Sequence, residues 1–209
     1  MKIRTTATAG LLAATALAAL APTQAFAAPQ APPCTKKNIA YLDAQNQHED
    51  AEAKVTTAEQ ALDRARSDRA KVDRLGNLSE GLYRTLASGR TTESVYVASD
   101  VNRERNTLSD AVDKHDAVAA ADAAVKLADA TEKAMTDRQV PHDALRNEAE
   151  KYIKELRSAA EEARSATEAP NVEARQADLN AARTELTKAA KAVRPARDAY
   201  RNCLDKLVN

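Results

Sequence analysis

The chain has 209 residues, with 31 basic and 31 acidic side chains, three histidines, no tryptophan and one phenylalanine. That balance leaves no electrostatic footprint for nucleic acid. The scarcity of aromatic rings leaves little to wall a pocket in which a carboxylate could be tuned for acid–base work.

The first 27 residues read as a secretory signal peptide. Lys2 and Arg4 precede an apolar run from Ala9 to Ala21, and Ala25-Phe26-Ala27 supplies the small-x-small pattern for cleavage. The run is too short to span a bilayer. Cys34 follows Ala-Pro-Pro rather than a lipoprotein signal, so no lipid anchor is expected. The expected location is extracellular, for a bacterial protein exported by a Sec-type signal, with no membrane insertion after cleavage. An oxidising compartment favours pairing of the two cysteines, Cys34 and Cys203. The mature chain would keep 29 basic and 31 acidic residues.

Residues 28–33 form a Pro-rich spacer, and 34–209 read as one helical domain dominated by Ala, Glu, Asp, Arg and Lys. A first helix is predicted over about 35–75. Gly76, Gly81 and Gly89 then suggest a turn region. A second helix is expected over 91–138, with Thr91 as a possible N-cap and Glu93 in its first turn. Pro141 separates it from a third helix over 142–168. Pro170 and Asn171 punctuate before a fourth over 171–207. Pro195 sits within the fourth helix, where the apolar phase continues through it, so a kink rather than an end is expected.

Apolar residues recur at spacings of three and four. The first helix carries Cys34, Lys37, Tyr41, Ala44, His48, Ala51, Val55, Ala58, Leu62, Ala65, Arg69 and Val72 on one stripe. The third carries Leu145, Ala149, Tyr152, Leu156, Ala159, Ala163 and Ala166, and the fourth Val172, Arg175, Leu179, Ala182, Leu186, Ala189, Val193, Ala196, Tyr200, Cys203 and Leu207, of which only Arg175 is polar. The second is less regular: Val97, Val101, Leu108, Val112, Ala119 and Val125 mark its apolar side. These narrow seams predict an all-α fold, an antiparallel coiled-coil four-helix bundle.

Both cysteines lie in phase with their seams, which predicts a Cys34–Cys203 disulfide joining the ends. Setting Cys34 opposite Cys203 puts Tyr41 against Ala196 and Ala51 against Leu186, large against small. A shift of four residues would set Tyr41 against Tyr200. Antiparallel neighbours bring the ends together only after an even number of passes, so Pro170 is expected to mark a reversal. The first two helices are longer than the last two and should project as a helical hairpin.

The tip of that hairpin, residues 75–97, holds the densest bulky apolar cluster. Either the turn folds back and caps the open end of the bundle, as apolar clusters usually form core, or part of it stays exposed; in the second reading Leu78, Leu82, Tyr83, Leu86 and Tyr96 are the candidate partner-binding residues, since exposed apolar patches mark interaction sites. The alternative is a metal or small-ligand site. A hairpin reversing near residue 82 would bring His48 level with His115, with Asp116 and Asp122 nearby. No Glu-x-x-His, His-Glu-x-x-His, nucleophile elbow or phosphate loop is present. No catalytic residue and no cofactor is therefore assigned. Narrow Ala-rich seams also differ from the broad Leu, Phe or Trp faces of lipid-binding helices. The sequence reads as a secreted, non-enzymatic scaffold or binding module of the cell envelope. Its partner is an unidentified protein or cell-wall component, and open seams allow oligomers.

Overall fold

The computed structural model describes residues 32–88, 95 and 98–208. The expected signal peptide, most of the Pro-rich spacer, Thr91, Glu93, Tyr96 and Val97 lie outside the described residues. Among the described residues five α-helices follow in order: α1 Thr35–Ser88, α2 Ser99–Asp113, α3 Ala117–Asp137, α4 Ala144–Ala163 and α5 Val172–Val208, with a 3-10 turn at Ala169–Asn171. No strand occurs among the described residues. The fold is an antiparallel helical bundle with a projecting helical hairpin, its ends joined by a Cys34–Cys203 disulfide.

Four expectations are corrected. The first helix does not stop at residue 75. It runs through Gly76 and Gly81 to Ser88, because Leu75, Leu78, Leu82 and Leu86 continue the buried stripe. The two glycines are contact points instead of turns. A Cβ on Gly76 would stand 3.3 Å from Val112 Cγ1, and one on Gly81 only 2.5 Å from Tyr152 Cε1. Here the missing side chain lets another helix come close.

The expected second helix is two helices. It stops at Asp113 and restarts at Ala117. His115 adopts φ 52°, the left-handed conformation that closes a helix. The His115 N–H donates to the Val112 carbonyl and the Asp116 N–H to the Ala111 carbonyl, at 2.9 and 3.0 Å. Asp116 then caps α3 by accepting from the Ala119 N–H at 3.0 Å. The same device recurs between α3 and α4. Gln139 takes φ 50°, and Asp143 caps α4 through the Arg146 N–H at 2.8 Å. The break changes the helix phase, so Ala119 is exposed while Ala120, Ala121 and Ala124 are buried.

The reversal expected at Pro170 is therefore at His115. Antiparallel α2 and α3 bring Val101 and Leu127 together beside Leu82 and Leu86. Arg157 then pairs with Asp129 and Glu132, and Arg164 with Asp122, so α4 runs back along α3. Arg74 pairs with Glu162, and Arg69 with Glu173. Thus α4 and α5 run one after the other down α1, with only a 3-10 turn between them. The chain still makes an even number of passes, which is why its ends meet.

The core lies where four helices surround one another: α1 from Val72 to Leu86, α2, α3 and α4. Leu75, Leu82, Leu86, Leu108, Leu127, Met135 and Leu156 are among its fully buried side chains. Before its contacts with the 3-10 turn region at Asp68 and Arg69, α1 packs on α5, and this pair is the projecting hairpin. It is not the hairpin of the first two helices that chain lengths suggested. α5 passes through Pro195 without ending, as expected.

Candidate functional site

The α1/α5 arm is fixed at both ends. At its root, Arg69 holds Glu173 through two guanidinium nitrogens at 2.7 and 2.8 Å and donates from Nε to the Ala169 carbonyl at 3.1 Å. The Arg69 hydrogen bonds pull the Glu173 carboxyl down to about 2. Along its length, Lys54–Glu185 and Glu59–Arg183 bridge the helices at 2.9 Å each. The Glu185 hydrogen bond raises the Lys54 pKa, and the same contact lowers that of Glu185. These pairs are solvent-exposed and contribute little individually. Between the helices, Ala44, Ala51, Leu62, Ala65, Leu179 and Ala182 are buried, and the other seam positions are mostly half-buried.

At the far end the disulfide holds Cys34 and Cys203 with a Cα–Cα distance of 5.8 Å. Cys34 has φ 76° and precedes the helix, its carbonyl accepting from the Lys37 and Asn38 N–H groups. It therefore lies outside the helical phase of α1, and its bond does not set the seam register. Tyr41 faces Tyr200 and not Ala196. The rings stack with centroids 6.3 Å apart and planes 20° from parallel. Two half-buried rings at the edge of a two-helix seam stack without overpacking, which a closed core would not allow.

The predicted contact residues lie elsewhere. Leu78, Leu82 and Leu86 are buried in the bundle core and offer no surface. Tyr83 is half-buried, with the Arg105 guanidinium 3.7 Å above its ring. Tyr96 is outside the described residues. The cluster is core because α1 carries it into the bundle in place of turning there.

The histidines do not come together. His48 is on the arm, with Nδ1 3.8 Å from Glu52. His115 lies at the level of Asp73, 3.9 Å from its Oδ1. Along α1 the two levels are about 37 Å apart at 1.5 Å per residue. The reversal after α1 comes later than residue 82, so the expected pairing fails. Among the described residues no group of three His, Cys, Asp or Glu side chains could hold a metal ion. Asp116 and Asp122 serve as a helix cap and as the partner of Arg164. The His115 Nδ1 atom is buried without a hydrogen-bond partner. It borders an open cleft of about 410 Å³ that Lys114, Arg164 and Thr167 also line.

The surface that the structure reveals is the stapled end of the arm. Ile39 is 51% exposed, Leu42 46%, Leu204 39%, Leu207 54% and Val208 86%. Among the described residues only one other large apolar side chain, Val118, is exposed. Ile39 and Leu42 are off the seam of α1, and that bulky off-seam placement beside a cysteine was the available sequence signal. No helix among the described residues is long and apolar enough to cross a membrane. Compared with known protein families, curated proteins and solved structures, the chain finds no match.

Proposed function

We propose that this protein is a secreted, non-enzymatic helical scaffold or binding module of the bacterial cell envelope, with the stapled end of its arm as the contact surface. The observation that carries this reading is the clustering of exposed apolar side chains at that end, Ile39, Leu42, Leu204, Leu207 and Val208. Exposed apolar groups gathered in one place favour association over solvation. The arm is also built to hold that end away from the bundle: α5 alone is 37 residues, roughly 55 Å of helix. A tether at the root and a covalent tie at the tip suit a spacer that must not splay.

The test is retention of the mature, oxidised protein on cell-envelope preparations. We expect retention, lost when Ile39→Ser and Leu207→Ser are combined, while the circular dichroism of the variant is unchanged. Intact mass of the exported protein should begin at Ala28. Protein that washes through at every concentration overturns the binding reading. A mass that includes residues 1–27 overturns the secretory one.

A further inference from the structure

We propose that the stapled end of the arm docks on an anionic lipid surface, arm downward, with the bundle held away from it. The inference rests on the reading of that end as the contact surface and adds the chemistry of the partner.

Apolar exposure alone does not choose a partner, but the charges around it do. Residues 34–43 and 194–208 carry six basic side chains against three acidic ones. One of the acids, Asp198, is already held by Arg194 and Arg197 at 3.8 and 3.5 Å. Lys36, Lys37, Arg201 and Lys206 form no salt bridge among the described residues. The remaining described residues carry 22 basic and 27 acidic side chains. A protein that is nearly neutral overall is thus basic at one end and acidic over the rest.

That segregation orients the molecule before contact. An anionic plane attracts the arm end and repels the bundle. Once there, apolar side chains among free lysines and arginines match what an interfacial lipid site needs: carbon groups to enter the headgroup boundary and cations to meet the lipid phosphates. Long basic side chains can lie along the apolar surface with their charges outward. The stacked Tyr41 and Tyr200 sit just above, half-buried, with a ring body and a polar hydroxyl suited to an interface. The binding elements differ from the narrow Ala-rich seams, which are occupied by helix packing. A second copy is a weaker occupant, because the same cations would face each other across a symmetric contact.

The experiment is co-sedimentation of the mature oxidised protein with vesicles of phosphatidylglycerol alone and of phosphatidylcholine alone. We expect partitioning to phosphatidylglycerol only, weakening as salt rises. Ile39→Ser with Leu207→Ser should lower it at least tenfold. Lys36→Gln and Lys37→Gln should each lower it about fivefold. The salt series uses the unaltered protein, so a variant that misfolds does not remove the test. Equal binding to both vesicles, or none to either, overturns the proposal. Envelope retention without vesicle binding overturns the lipid inference and leaves the binding-module reading standing. Loss of both overturns both. Self-association in the absence of lipid, abolished by Ile39→Ser with Leu207→Ser and unaccompanied by vesicle binding, assigns the patch to a second copy and likewise overturns the inference.

Discussion

The two halves of α1 solve the same burial problem on different terms. From Val72 to Leu86 the helix has partners on several sides, and Val72, Leu75, Leu82 and Leu86 are sealed from water. From Tyr41 to Ala58 it has α5 alone. There only Ala44 and Ala51 are buried, while Tyr41, His48, Val55 and Ala58 remain half-exposed. Burial scales with the area removed from water, so a two-helix seam of alanines gains little. The staple is placed at the end that packing holds least. One continuous helix therefore joins a region held by its core to a region held by a covalent bond.

The largest expected contrast comes from truncating leucines on either side of it. Leu156→Ala, at a fully buried core position, should destabilise by about 2–5 kcal/mol in chemical denaturation. Leu186→Ala, at a half-buried arm position, should cost about 1 kcal/mol. Equal losses would mean that the arm is packed as well as the bundle.

A smaller effect tests the close approach of α1 and α4. Gly81→Ala should destabilise by about 1–3 kcal/mol through collision with the Tyr152 ring, despite alanine's better helix propensity. Gly76→Ala, whose Cβ would press on Val112 at 3.3 Å, should be closer to neutral. A stabilised Gly81→Ala would show that the ring gives way freely.

The arm root should loosen in acid. Glu173 titrates below its ordinary value of 4.5, at about 2, so its pairing with Arg69 favours the folded state above 4.5 and fades as pH falls toward 2. Thermal melts of the protein and of Glu173→Gln should differ near pH 6 and converge toward pH 2. A difference that persists unchanged at pH 2 would contradict the ion pair. The smallest effect is a gain. Gln139→Gly should stabilise by up to about 1 kcal/mol, because Gln139 is exposed and holds φ 50°, where a Cβ is strained.

Much of this division was legible in the residues. The seam of α5 was readable from Leu179 to Cys203, and that of α4 from Ala149 to Ala166. The even number of passes followed from joining Cys34 to Cys203. Less legible was what depends on long-range partners. Gly76 and Gly81 resemble turn residues until Val112 and Tyr152 are known to lie against them. Nothing local in Lys114-His115-Asp116 marks a left-handed histidine. Misplacing that reversal moved the hairpin tip, and with it the candidate contact residues. Leu78, Leu82 and Leu86 could be read either as a contact surface or as a cap on the bundle, because a turn was expected there. The density of large apolar residues, which suggested a binding patch, was the mark of the core.

The measurement that tests this division most directly is hydrogen exchange on the oxidised and the reduced protein, resolved by segment. Reduction should release the distal arm, residues 35–60 and 180–208, to nearly unprotected exchange. Protection in α2, α3, α4 and the 72–86 stretch of α1 should persist. If the arm kept its protection after reduction, the seam and not the staple would be holding it. If the arm and the bundle lost protection together, the molecule would be one cooperative unit and the division would be wrong.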